Sequence, residues 1–233
     1  MTLFSNPQDS DIVLQLREDK IYAHRVVLRL WSPFFNKALM SNFAVSPLKH
    51  LYDNIADFVT KVATNPVFEL DDQDDDLEAI IAVVKHMYGM KYNEHAQNTV
   101  HPQKVGVWRH SPVLRSDLAV YTMADKYDCR AVRRAALESF KATLHRIKSQ
   151  PFLIHYYLPI IAYVCGSEAP RLADQSLYNA IIEFFFNEHV ELKRWRGYRD
   201  AIRRDDVFDA HCTRKLMDAE LIESMRLSLD DVD

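Results

Sequence analysis

The sequence predicts an α+β fold in which helices flank a small mixed sheet and an all-helical extension follows. Near the start, the apolar Ile12, Leu14 and Leu16 fall at every second position, which is the period of a half-buried strand. A few residues later, apolar positions recur at helical spacing, and they keep that spacing beyond about residue 145. Strand patterns are therefore confined to the first part of the chain, and the remainder is helical.

A hairpin leads directly into two helices. We place its turn at the polar Glu18-Asp19-Lys20 and its second strand at Ile21-Tyr22-Ala23. Ser32-Pro33 then marks the restart of a helix, because proline is favoured in a first turn. The apolar residues around this restart recur at helical spacing: Val26, Val27, Leu30, Trp31 and Phe34.

Further elements complete the predicted domain. We expect an inserted helix over 46–61, a third strand at Val67–Leu70 and a helix with an apolar stripe over 77–88. The run Leu114–Tyr127 continues the helical pattern. The predicted core packs residues from all of these elements: Leu14, Val27, Leu30, Phe34, Ile81, Val84, Tyr88, Leu118, Tyr121 and Ala124.

Composition limits the classes of function. The 233 residues suffice for one domain with an extension, and an apolar content of 48% supports a core. The net charge of −4 disfavours nucleic-acid binding, which requires basic surface. Cys129, Cys165 and Cys212 are far apart and odd in number, which is typical of buried thiols in a reducing compartment. We find no membrane span or signal-peptide core, so we expect a cytoplasmic or nuclear protein.

Three polar stretches allow two interpretations each. The acidic run Asp71–Asp76 is either a cation site or a turn that caps the next helix, and we favour the cap. His95, His101 and His110 could bind a metal, but their spacing fits no usual ligand pattern. The basic, aromatic segment 193–204 suggests contact with RNA or phosphate, although the charged face of a helix is the simpler interpretation.

Several motifs resemble a known family in order and spacing. The segments D-I-V-x-x-L from Asp11, A-H-R-x-V-L from Ala23 and W-S-P-F-F from Trp31 resemble the opening of a BTB/POZ domain. Val120–Asp128 (VYTMADKYD) resembles its last helices. The resemblance covers 10–144, with insertions near 46–61 and 93–112.

The remaining segments are assigned from the same resemblance. The extension over 145–223 is similar to the helical tail of short fungal BTB proteins. We expect residues 1–9 to be loose and 224–233 to be frayed.

The resemblance implies a non-catalytic adaptor or scaffold that binds other proteins. It places Asp11 and Arg25 in a charged pocket near the dimer face; the alternative is a buried ion pair that binds no ligand. His24 is expected to be a structural histidine, bonded to backbone. The resemblance also implies a partner surface that includes Trp31, Phe43 and Val45.

Three expectations concern the partners. Family members that bind a cullin carry a hydrophobic-x-Glu triplet, but Val45 stands where the glutamate belongs after Phe43, so we expect weak cullin binding. Strand-swapped dimers use elements ahead of the first strand, so we expect a monomer or weak self-association. Kelch-like repeats are absent from the sequence.

Other functions remain as alternatives. One alternative is a substrate adaptor of a cullin-based ubiquitin ligase, and another is a transcription co-regulator module. An enzyme whose residues are assembled only by folding is a further alternative, although we find no catalytic, cofactor or metal motif. His211 and Cys212 are adjacent in sequence, so their side chains diverge and cannot easily form a nucleophile–base pair.

Overall fold

The computed structural model of the protein describes residues 4–40, 67–70, 75–91, 112–148, 154–166, 169, 172–192, 194, 196–202, 208, 213–214 and 218. The chain divides into two compact units. The first unit contains Met1–His95 and Ala119–Ala135, and the second contains Ala96–Leu118 and Ala136–Asp233. No helix within these described residues is long and apolar enough to cross a membrane.

The first unit contains a three-stranded mixed sheet. Strands β1 (Ile12–Leu16), β2 (Asp19–Ala23) and β3 (Val67–Glu69) lie in the order β2-β1-β3. β1 pairs antiparallel with β2 and parallel with β3. This confirms the three predicted strands. β1 carries buried side chains on both of its faces, since Val13 is buried along with Ile12 and Leu14 instead of facing solvent.

The hairpin turn lies earlier than predicted. Asp19 and Lys20 belong to β2, where Lys20 pairs with Gln15. The turn is formed by the two residues between the strands, Arg17 and Glu18, and Arg17 has a φ of 56°. A two-residue hairpin loop favours such left-handed conformations, because they match the twist of the strands. The sequence lacks the glycine that usually marks this geometry.

The helices of the first unit follow the predicted order. They are α1 (Arg25–Trp31), α2 (Pro33–Met40) and α3 (Leu77–Met87). Asp76 caps α3, since its carboxylate accepts a hydrogen bond from the Ala79 N–H at 3.1 Å. This confirms the capping interpretation for Asp76. Helices α4 (Pro112–Lys126) and α5 (Arg130–Lys148) contribute 119–126 and 130–135 to this unit.

The predicted core residues are buried or half-buried except at two positions in α1 and α2. Buried positions include Leu14, Val84, Leu118, Tyr121 and Ala124 as expected, whereas Val27, Ile81 and Tyr88 are half-buried. Leu30 is 80% exposed and Phe34 is also exposed, so their assignment to the core is wrong. The inner side carries Leu28 and Phe35. Apolar residues occur on both sides of α1, so periodicity alone does not identify the buried side.

The second unit contains α6 (Ile154–Cys165), α7 (Ser176–Leu192) and α8 (Arg196–Ile202). Four apolar residues of α7 that recur at helical spacing are buried, namely Leu177, Ile181, Phe184 and Phe185. The Phe185 ring stacks on Tyr198, with centroids 5.6 Å apart, and meets Phe208 edge-on at 5.4 Å. An aromatic cluster therefore joins α7 to α8.

The basic segment 193–204 is the charged face of a helix where the structure describes it. Tyr198 points inward and is fully buried, while Arg196 and Arg199 are exposed. Arg194 pairs with Glu191 at 2.8 Å, and Arg196 lies 3.5 Å from Asp200. The predicted insertions near 46–61 and 93–112 lie outside the described residues, apart from Pro112 at the start of α4.

Candidate functional site

The outer face of α1, which we define as Val26, Val27, Leu30 and Trp31, is apolar and accessible. Val26 is 69% exposed and Leu30 80% exposed, while Val27 and Trp31 are half-buried beside them. The Trp31 ring meets the His86 ring of α3 edge-on, with centroids 6.3 Å apart. Burial lowers the pKa of His86 below its ordinary value, so this ring is neutral at pH 7.

A cluster of side chains beneath α1 and α2 supports this face. We call it the Tyr127 cluster, and it comprises Ser32, Phe35, Asp75, Lys126 and Tyr127. The Ser32 hydroxyl donates to the Tyr127 carbonyl at 2.6 Å and accepts from the Phe35 N–H at 3.0 Å. Ser32 is thus the N-cap of α2 and also a tertiary contact. The Phe35 ring stacks on the Tyr127 ring, with centroids 5.4 Å apart and planes 6° from parallel.

Asp75 supplies the charged part of the Tyr127 cluster. Its carboxylate is 1% exposed and accepts hydrogen bonds from Lys126 Nζ at 2.6 Å and from the Tyr127 hydroxyl at 2.5 Å. Lys126 remains 33% exposed. The buried charge is therefore compensated on one oxygen by a cation and on the other by a hydroxyl, as buried carboxylates require.

Cys129 lies next to the cluster but has no nucleophilic character. Its Sγ donates to the Tyr127 carbonyl at 3.3 Å. Burial raises the pKa of the Cys129 thiol to about 12, so the thiolate is absent at neutral pH. Beyond it, Arg133 pairs with Asp125 and joins α5 to α4. These contacts hold the end of α4 in place and supply no reactive group.

Comparison with known proteins identifies the first part of the chain. A family model described as the BTB/POZ domain matches residues 1–102. The chain contains a BTB/POZ domain. Domains of this kind are generally protein–protein interaction modules. No curated protein matches the chain.

The match and the compact unit have different bounds. The BTB/POZ match ends at residue 102, whereas the first compact unit also includes Ala119–Ala135. That segment carries Lys126 and Tyr127, which complete the cluster under α2. A domain boundary near residue 144 stays a prediction.

His24 of the BTB domain is bonded to Tyr88, which lies 64 residues away. The His24 backbone N–H donates to the Tyr88 hydroxyl at 2.8 Å, and Nδ1 lies 2.7 Å from the same oxygen. The hydroxyl donates to Nδ1 when the imidazole proton is on Nε2. Burial raises the pKa of Tyr88, so the hydroxyl keeps its proton at neutral pH. The partner of His24 is thus a side chain, whereas we had expected backbone.

The segment ahead of β1 is also attached to this region. The Ser5 N–H donates to the Tyr22 carbonyl at 3.1 Å, and the Phe4 ring meets Tyr88 edge-on at 5.7 Å. The expectation that residues 1–9 are loose therefore does not describe Phe4 and Ser5.

Asp11 and Arg25 are neighbours, but their contact runs through backbone. The Asp11 carboxylate accepts a hydrogen bond from the Arg25 N–H, the first amide of α1, at 2.7 Å. No ion pair joins the two side chains in the described part of the chain. Asp11 is exposed and Arg25 is half-buried. A charged, ligand-binding pocket at these residues stays a prediction.

The structure does not describe the remaining predicted site residues. Phe43 and Val45 of the cullin-binding motif, and His95, His101 and His110, fall outside the described residues. Within the described ranges, no group of three histidine, cysteine or acidic side chains is arranged to hold a metal ion. Sequence reasoning missed Asp75 as a site residue, because nothing in the local pattern links it to Lys126.

Proposed function

We propose that the protein is a non-catalytic adaptor or scaffold that binds another protein through the outer face of α1. The exposure of Val26 and Leu30 carries this proposal. A single exposed apolar side chain is ordinary, but these two lie one turn apart beside the half-buried Val27 and Trp31. Tryptophan is among the residues that most often contribute a large share of the binding energy of an interface.

The supports of α1 favour binding without rearrangement. Ser32 fixes the end of α1 to Tyr127, and His24 fixes its start to Tyr88. A surface that is already ordered loses little conformational entropy when a partner binds. We therefore expect the free and bound forms of α1 to have the same backbone conformation.

Affinity purification with quantitative mass spectrometry tests this proposal. Leu30→Asp should remove a set of co-purifying proteins that the parent chain retains. Phe186→Asp is the matched control, because Phe186 is an exposed apolar residue of α7 in the second unit. Both variants should melt like the parent. An identical set of proteins with Leu30→Asp and with the parent would contradict the proposal.

A finer proposal is that the partner is a cullin, with weak affinity. The helical segment after Cys129 corresponds to the place where related adaptors extend a cullin contact, which favours the idea. Val45 cannot supply the charge-assisted acceptor that a glutamate would offer, and this lowers the expected affinity. Calorimetry with a cullin N-terminal domain from the same source should give a dissociation constant near or above ~1 μM. A low nanomolar value would make the ubiquitin-ligase adaptor the leading function.

A further inference from the structure

Positive charge borders the outer face of α1. Arg29 lies between Val26 and Leu30 on the helix surface, and Arg25 precedes Val26. Residues 25–40 contain Arg25, Arg29 and Lys37 but no aspartate or glutamate. The apolar face is thus accompanied by cations from its own two helices.

The two arginines of α1 have no carboxylate partner in the described part of the chain. Arg29 Nε donates to the Asn36 side-chain carbonyl at 3.2 Å, a neutral partner. Arg25 Nε is buried without a hydrogen bond to any described residue. By contrast, Lys126 and Arg133 of the same unit are paired with carboxylates. No described carboxylate occupies either guanidinium group, and Arg29 is exposed, so an anionic group from outside can reach this end of the face.

We propose that the outer face of α1 binds an acidic amphipathic segment of another protein; this inference rests on the adaptor function proposed above. Apolar side chains of that segment pack against Val26 and Leu30. Its carboxylates contact the guanidinium groups of Arg29 and Arg25, since guanidinium and carboxylate form strong, charge-assisted pairs. Opposite charge also accelerates encounter and excludes basic partners.

A second copy of this chain fits the face poorly. A two-fold symmetric contact places the same patch on both sides, so a contact centred on Leu30 brings Arg29 close to its own copy. Like charges placed together at an interface are strongly unfavourable. A membrane surface also fits poorly, because α1 has only seven residues and buries too little apolar area to hold a protein on a bilayer.

Binding of defined peptides to the purified full chain tests the inference. Three short fluorescein-labelled peptides share one spacing of leucine and phenylalanine and carry Glu, Gln or Lys between them. By fluorescence anisotropy, the Glu peptide should bind at least ~10-fold more tightly than the Gln peptide, and its affinity should fall as salt is raised. The Lys peptide should show no binding.

Charge reversal supplies the decisive variant. Arg29→Glu should lower the affinity for the Glu peptide by about 10-fold and should allow the Lys peptide to bind. Arg134→Glu, at an exposed position of α5 in the first unit, is the matched control and should leave all three affinities unchanged. Arg29 is exposed, so its reversal should leave the melting temperature close to that of the parent.

Other outcomes overturn the inference, and they separate it from the proposed function. If Leu30→Asp abolishes binding but the Glu and Gln peptides bind equally well, the apolar site stands and the acidic partner does not. A dimer in sedimentation velocity that Leu30→Asp removes, without preference for the Glu peptide, assigns the face to a second copy. Binding to phosphatidylserine-containing vesicles but to none of the peptides assigns it to a lipid surface. Peptide binding that Leu30→Asp leaves intact places the site elsewhere.

Discussion

The two sides of α1 differ in a way that hydrophobicity alone does not show. The outer side carries Val26 and Leu30, which are exposed, and the inner side carries Leu28, which is completely buried. The inner side continues into Ser32, a polar residue that is also completely buried. A buried hydroxyl requires partners in fixed positions, and Ser32 finds them in Tyr127 and Phe35. The serine therefore marks the inward direction more reliably than the surrounding apolar residues do.

Truncating one leucine on each side of α1 tests the comparison most directly. Leu28→Ala should lower the free energy of unfolding by about 2–5 kcal/mol, because it leaves a cavity in the core. Leu30→Ala should change it by less than about 0.5 kcal/mol, since Leu30 is already exposed to water. Urea unfolding followed by circular dichroism measures both values. Equal losses for the two variants would show that the sides of α1 are not distinct.

The charged part of the Tyr127 cluster, which lies beneath the inner side of α1, should have the next largest effect on stability. Lys126→Met leaves the buried Asp75 carboxylate with one hydroxyl partner, and the cost should be on the order of 3 kcal/mol. Lys141→Met is the control: its pair with Glu138 is exposed and should contribute less than about 0.5 kcal/mol. Thermal unfolding of the two variants distinguishes them. A Lys126→Met protein as stable as its control would show that the Asp75 charge is not effectively buried.

Removing the Ser32 hydroxyl should cost less than removing Lys126, at about 1–3 kcal/mol. Ser32→Ala deletes the N-cap of α2 and one donor to the Tyr127 carbonyl. Ser139→Ala, in the middle of α5, should be neutral or slightly stabilising, because alanine favours helices. Chemical denaturation measures both changes. If Ser32→Ala is also neutral, the hydroxyl does not determine which side of the helix faces inward.

The smallest expected effect lies at the start of α1. Asp11→Asn should cost about 1 kcal/mol or less, since its bond is to a single exposed amide. Arg25→Met should not alter that cost, because the bond involves the Arg25 backbone and not its guanidinium. The coupling in a double-mutant cycle should therefore stay below about 0.3 kcal/mol. A coupling above 1 kcal/mol would restore the ion pair that the sequence resemblance implied.

Local patterns predicted the elements, while distant contacts escaped prediction. A strand such as β1 and a helix such as α3 each show their period within a few neighbouring residues, so both were predictable. The bond between Asp75 and Tyr127 joins residues 52 positions apart, and the bond between His24 and Tyr88 joins residues 64 apart. The periodicity of apolar residues along the sequence does not show which distant polar side chains will form hydrogen bonds. For the same reason, Leu30 was recognised as part of a helical stripe but was wrongly assigned to the core.

The bond from Ser32 to Tyr127 also affects the order in which the protein can fold during synthesis. It closes a loop of 95 residues, and Tyr127 emerges from the ribosome long after the sheet strands. Until Tyr127 is synthesised, the Phe35 ring of α2 has no ring to stack on, and the Ser32 hydroxyl has no carbonyl to donate to. The nascent first unit is therefore incomplete. A chain that stops at residue 102 contains every residue of the family match but lacks Lys126 and Tyr127. Such a fragment keeps the strands and the bond from His24 to Tyr88 at the start of α1, but it loses the contacts of Ser32 and Phe35 with Tyr127.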